Sequence, residues 1–205
     1  MKGSSKLIKQ VKSCVKAFYK CRQGEANKYH NIDHTISVVK VAKKIARQVK
    51  LKEQDRAILL IAAWFHDIGY LTNSKEAHHI SARKAIAFLT FIDADSAIIE
   101  GVDKAILAAA VPQHPTTLVE QILCDADLYT YLGSKDFRKQ TEKLRLETEE
   151  LTGNKISKKT WHRNELEFME GHYFFTTYAH SKRGKIKEEN LKWLKQVTQE
   201  ENIAA

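Results

Sequence analysis

Apolar residues recur three and four positions apart along almost the whole chain, the spacing that lines one face of an α-helix. Between residues 29 and 50, Ile36, Val39, Ile45, Ala46 and Val49 share much of one such face. The pattern predicts helices near 4–20, 29–50, 53–66, 76–90, 96–110, 117–132, 134–152, 157–181 and 187–199. Gly69 is placed to close the third of these and Ser157 to cap the eighth. Both prolines fall in VPQHP, residues 111–115, and must interrupt the helical pattern there. No alternating strand pattern, internal repeat or low-complexity linker is visible. The expected class is all-α, in one domain.

Length agrees: 205 residues can bury a substantial core without disulfide staples. The three cysteines, Cys14, Cys21 and Cys124, are odd in number and lack metal-ligand spacing, so they read as reduced packing residues. The longest apolar run, ILLIAAWF at 58–65, is too short to span a membrane. The N-terminus lacks the uninterrupted apolar stretch of a signal peptide. A cytoplasmic protein with no membrane association is the expectation. The net charge of +9 is partly local. Lys6, Lys9, Lys12, Lys16 and Lys20 form one stripe on the first helix, opposite Leu7, Val11, Val15 and Phe18. The stripe suits an anionic partner or, more commonly, a solvated face; with no aromatic interleaving, nucleic acid is not the expected partner.

Three polar intrusions break the apolar pattern. YHNIDHT (29–35) spaces His30 and His34 four apart at a helix start. In AAWFHDIGY (62–70), His66 and Asp67 end the most hydrophobic helix, and in ILCDADLYTYLG (122–133), Asp125 and Asp127 sit among apolar residues. Buried imidazoles and carboxylates are costly unless paired, hydrogen-bonded or bound to metal, so three intrusions in one domain suggest that they satisfy one another.

Their order along the chain (His, then His-Asp, then Asp in Ala-Asp-Leu) resembles the HD-domain superfamily of metal-dependent phosphohydrolases. The resemblance covers residues 29–133 and, with a subgroup of bacterial HD proteins of unassigned substrate, extends through VPQHPTTLVEQILCDADLYTYLG towards FMEGHYFFTTYA at 168–179. It implies a single-domain HD-type helical bundle: residues 1–28 a basic amphipathic helix packed on the core, 29–133 the metal-binding core, 134–205 helices completing the same domain. His34, His66, Asp67 and Asp127 match the four metal ligands. Asp127 rather than Asp125 fits the Ala-Asp-Leu position, and residues two apart point to different sides of a helix. Asp125 either orients a ligand from behind or faces solvent. The YHNxxH element is similar to that of cyclic-nucleotide phosphodiesterases. There the earlier histidine protonates the leaving oxygen, which gives His30 the role of acid and Asp67 a catalytic role beside it. The plainer reading of His30 is an exposed residue at a helix start. Asn31 either caps the turn or touches substrate.

The implied cofactor is one firmly held divalent ion: Mn, Fe, Co, Ni, Zn or Mg. Candidates for a second ion are His78, His79 and His114, although Ala77 stands where related sequences place a histidine, out of register with His78 and His79. Arg83, Lys135, Arg138 and Arg145 are available for substrate phosphate. His162, His172 and His180 have no carboxylate at ligand spacing and read as packing or surface residues; the aromatic series Phe168, Tyr173, Phe174, Phe175 and Tyr178 reads first as core and only second as a base-stacking wall. The expected function is a metal-dependent phosphohydrolase or phosphodiesterase acting on a nucleotide or small phosphorylated compound. The alternative is a non-catalytic metal- or nucleotide-binding HD module that regulates a partner.

Overall fold

The computed structural model describes residues 2–72 and 76–203. Among them the chain is all-α, with no strand. Nine α-helices follow one another: α1 (Lys2–Arg22), α2 (Ile32–Gln48), α3 (Glu53–Phe65), α4 (Ala77–Phe91), α5 (Ser96–Ala108), α6 (Leu118–Tyr129), α7 (Phe137–Thr152), α8 (Lys158–Gly171) and α9 (Thr177–Ile203). A short 3-10 turn, Ile68–Thr72, separates α3 from α4. None of these helices is long and apolar enough to cross a membrane.

Helix α3 organises the packing. Every residue from Ala57 to Phe65 is buried, because α1, α2, α5 and α6 all pack against this helix. A helix enclosed on all sides is apolar all round, which accounts for the ILLIAAWF run. Leu59, Ile61 and Phe65 are fully buried, and each contributes about 1.5–3 kcal/mol from removal from water. Helices α2, α3 and α6 also touch one another pairwise, so the three segments that carry the polar intrusions are held together by the core beneath them.

Local chemistry sets the boundaries, and some differ from expectation. Helix α2 begins at Ile32 because the Asn31 side chain caps it, accepting from the Asp33 and His34 N–H groups at 3.0 and 3.1 Å. His30 therefore precedes the helix and does not share its face with His34. Gly69 does not end α3, which stops at Phe65; it lies in the 3-10 turn against the start of α4. There a Cβ atom would fall 1.9 Å from the Ala77 carbonyl oxygen, so only glycine allows the approach. The Gly69 N–H donates to Ser81 Oγ at 2.9 Å and completes the docking. Ser157 caps α8 as expected, accepting from the Thr160 N–H at 3.1 Å.

The expected helix over 157–181 is two helices. α8 ends at Gly171 and α9 starts at Thr177, because Asp125 of α6 captures the intervening backbone. Its Oδ1 accepts from Phe175 N–H at 2.7 Å, and its Oδ2 accepts from Thr176 N–H and Oγ1 at 2.7 and 2.6 Å. Beyond that corner α9 continues unbroken to Ile203. The cysteines are free; Cys124 is buried, Cys14 half-buried and Cys21 exposed, so Cys21 is not a packing residue. All five lysines of the α1 stripe are exposed.

Candidate metal centre and active-site pocket

The N-terminal turn of α2 supplies His34, the end of α3 supplies His66 and Asp67, and the last turn of α6 supplies Asp127. One ligand atom from each lies within 4.8 Å of all the others. His34 Nε2 is 3.1 Å from Asp67 Oδ2 and 3.1 Å from Asp127 Oδ1. His66 Nε2 is 3.0 Å from Asp67 Oδ2 and 3.8 Å from Asp127 Oδ1. The two imidazoles are 7% and 0% exposed, too enclosed for water to satisfy them.

The donor set fits a divalent cation. His34 Nε2, His66 Nε2 and Asp67 Oδ2 are buried without a hydrogen bond, aimed at a shared point. At the other side of its ring, His66 Nδ1 donates to the Ala63 carbonyl at 3.1 Å, which leaves Nε2 as the nitrogen with a lone pair to offer. Mixed imidazole and carboxylate ligands suit the transition divalent ions and Mg²⁺. Without an ion the charges balance another way. Burial alone would lower the His34 and His66 imidazoles, but the Asp127 and Asp67 carboxylates beside them outweigh burial and raise them to about 9 and about 10. Burial likewise works against ionised carboxylates, yet the imidazoles hold Asp67 and Asp127 below the usual carboxylate range.

His30 stands next to this quartet, its ring centroid 6.0 Å from that of His34. Two contacts fix it. Its Nδ1 meets Glu147 Oε1 at 2.5 Å, while Glu147 Oε2 accepts from the Tyr29 and His30 N–H groups at 2.6 and 3.0 Å. The ring also lies parallel to Tyr70, 3.6 Å between centroids and 2° between planes. Glu147 went unpredicted from sequence. It is fully buried in α7, and its position three residues after Leu144 and four before Leu151 places a carboxylate on an apolar stripe.

A pocket of 230 Å³ opens over His30, Asp67 and Asp127. Its walls include Tyr29, Tyr70, Tyr131, Leu144 and Phe168, with no Lys or Arg among the described lining residues. Glu165, also unpredicted, lines it; Tyr131 donates a hydrogen bond to its carboxyl, and burial raises that carboxyl to about 7. His78 belongs to the pocket, packed edge-on against Tyr70, and burial lowers its pKa.

The other sequence candidates lie elsewhere. His79 and His114 are exposed and outside the cluster. Asp125 neither joins the quartet nor orients a ligand, since both its oxygens hold the corner before α9. Asn31 acts as the α2 cap. Arg83 and Lys135 are exposed away from the pocket, and Arg138 lies over Trp193, 4.9 Å from its centroid. Arg145 is buried in ion pairs with Glu142 and Glu149 at 2.8 and 2.7 Å, so its charge is committed. Lys28 and Lys143, not among the candidates, line a separate 200 Å³ cavity that also touches Tyr29 and His34. His162 does have a carboxylate partner, Glu201 at 3.0 Å, on the far C-terminal helix.

No curated protein matches the chain. The crystal structure of a predicted HD superfamily hydrolase from an uncultured Thermotogales bacterium is similar in fold, with a TM-score of 0.58 and 22% sequence identity. The match covers 96% of this chain and 91% of that one. The HD domain model matches residues 31–132, which include His34, His66, Asp67 and Asp127. With that segment, this fold and this convergence of residues, the chain belongs to the HD-domain superfamily.

Proposed function

We propose that this protein is a metal-dependent phosphohydrolase of phosphodiesterase type, acting on a nucleotide or another small phosphorylated compound. One juxtaposition carries the reading: His30, gripped by Glu147, lines the same pocket as Asp67 and Asp127, two of the four residues whose ligand atoms converge. His34, His66, Asp67 and Asp127 would hold one divalent ion firmly. Bound there, the ion supplies a Lewis acid for a phosphoryl oxygen and lowers the pKa of adjacent water.

The chain's own residues do the rest. Glu147 accepts the Nδ1 proton of His30 and Tyr70 holds the plane of the ring, so tautomer and tilt are both set. In the doubly protonated ring Glu147 keeps the Nδ1 proton, and Nε2 is the atom from which the other proton passes to the leaving oxygen, leaving the neutral imidazole. The aromatic walls exclude water and receive the organic part of the substrate. A diester is favoured over a monoester or polyphosphate by the lining. With no Lys or Arg among the described lining residues, little offsets a second or third phosphate charge.

A phosphoester panel with Mn²⁺, Co²⁺, Ni²⁺, Zn²⁺ and Mg²⁺ in turn, beside an Asp67→Ala control, tests this. Metal-dependent turnover that is greatest on diesters and lost in the control is expected. Silence across the panel from protein that retains its metal would overturn the reading in favour of a non-catalytic binding module.

A further inference from the structure

A groove of 710 Å³, about three times the 230 Å³ of the metal pocket, lies between α1, α2 and α3 and shares no lining residue with that pocket. Helices α1 and α3 each contribute one face at the spacing i, i+3, i+4, i+7, Ser5 to Lys12 on α1 and Glu53 to Leu60, extended by Trp64, on α3; α2 contributes Lys43, Ala46 and Arg47, and Lys50 follows in the turn just past its end. Among the described residues six cations line it (Lys9, Lys12, Lys43, Arg47, Lys50 and Arg56) against one carboxylate, Glu53. Helix α1 has no acidic residue, and α2 has only Asp33 at its far end. The floor is apolar, formed by Ile8, Ala46, Leu60 and Trp64. Trp64 is 4% exposed and its indole N–H has no acceptor.

Six like charges around one concavity repel one another, and a bound polyanion removes that repulsion. The narrow apolar floor offers contact to a planar or aliphatic group. We infer that this groove is a second binding site, for a small polyanion of the nucleoside di- or triphosphate class. A nucleic-acid strand is less well served, since strand binding uses exposed aromatic rings for stacking and Trp64 is enclosed. An acidic membrane is also less well served, because the apolar residues sit at the bottom of a concavity, not on a protruding face. The molecule thus keeps polyphosphate recognition apart from the pocket that has no Lys or Arg among its described lining residues. Two walls of the groove, α2 and α3, also carry His34 and His66.

The test is calorimetric titration of the intact protein, at low salt, with ATP, GTP and inorganic triphosphate. The variants are Lys43→Glu/Arg47→Glu, and Lys135→Glu/Lys139→Glu as a control with the same change in charge. All four side chains are exposed, so the fold should survive, and circular dichroism checks that it does. Expected are one nucleotide per chain, at least tenfold weaker binding in the groove variant, less than threefold in the control, and steep weakening with salt. Asp67→Asn should bind the nucleotide unchanged, which separates this site from the metal pocket. No binding by the wild type, equal loss in both charge variants, or loss in Asp67→Asn would each overturn the inference. So would capture of a single-stranded oligonucleotide or of phosphatidylserine vesicles in place of the nucleotides.

Discussion

Glu147→Gln isolates what the buried carboxylate does for His30. Glu147 accepts from two backbone N–H groups and from the His30 ring. Alanine would strand all three donors at about 1–3 kcal/mol each, or about 3–9 kcal/mol together. That rivals the about 5–15 kcal/mol that holds a typical domain folded, so alanine would report unfolding and not chemistry. Glutamine keeps the shape and one oxygen. The two fixed backbone donors claim that oxygen, and the amide NH₂ turns towards Nδ1, which must then accept. The ring's single proton moves to Nε2, and the doubly protonated ring loses its acceptor. The difference between a charge-assisted hydrogen bond and none is about 1.5–3 kcal/mol, which corresponds to about 10- to 150-fold in kcat. His30→Ala removes the acid entirely and should cost about 10²- to 10⁴-fold. The assay is kcat on the best substrate of the panel, with metal content by elemental analysis, for both single variants and the double. Metal content should not change, and the double variant should be no slower than His30→Ala, since Glu147 acts only through that ring. A Glu147→Gln enzyme within threefold of wild type, or losses that multiply in the double variant, would refute the argument.

Other predictions rest on separate features. In the ion-free protein His34 and His66, raised to about 9 and about 10, balance two carboxylates, so at pH 7 a divalent ion should displace about two protons. Calorimetry in buffers of different ionisation enthalpy reads that number, and release below about half a proton would contradict it; Asp67→Asn should abolish the accompanying rise in Tm. Glu165, raised to about 7 by burial, binds its proton more tightly folded than unfolded. Its contribution to stability is therefore present below the ordinary glutamate range and lost as pH rises towards 7. Glu165→Gln should exceed wild type by up to about 3 kcal/mol at pH 8 and converge with it near pH 5 in thermal melts; a pH-independent gap would refute this. Leu59→Ala, at the centre of α3, should lose about 2–5 kcal/mol in urea unfolding with the m-value unchanged.

What the sequence revealed depended on how local the cause was. Helical periodicity is written every few residues, and α1 to α7 follow it closely. The break before α9 was hidden because its cause, Asp125, lies about fifty residues from the amides it binds, inside a helix whose own pattern is unbroken. His30 left the helix because Asn31 caps it, a role the residue type allows but spacing alone does not assign. Glu147 and Glu165 had a faint signal: each is an acid on an apolar stripe, Glu165 four after Trp161 and three before Phe168. The phosphate candidates failed for a tertiary reason. Arg145 looked free in the sequence, and only packing reveals that Glu142 and Glu149 neutralise it. The cationic groove likewise needs three helices brought side by side.

The division of the site along the chain bears on what sets its specificity. All four candidate ligands fall within residues 31–132, the segment matched by the family model. Tyr70 supports His30 from within that segment, but Leu144, Glu147, Glu165 and Phe168, which hold His30 or line the pocket, come after it, on α7 and α8. The core that carries the four candidate ligands can therefore stay constant while the later helices change the space offered to the organic part of a substrate. Phe168 gives this idea a direct test, because it lines the pocket and is not one of the quartet. Phe168→Ala should leave metal affinity unchanged and raise KM more than it lowers kcat, most for the substrate with the largest aromatic group. The bound organic group would lose part of its apolar contact, and each buried methylene equivalent is worth about 0.8 kcal/mol, or roughly fourfold. A uniform fall in kcat across all substrates, or a change in metal affinity, would place Phe168 in the support of the metal centre and remove α8 from the choice of substrate.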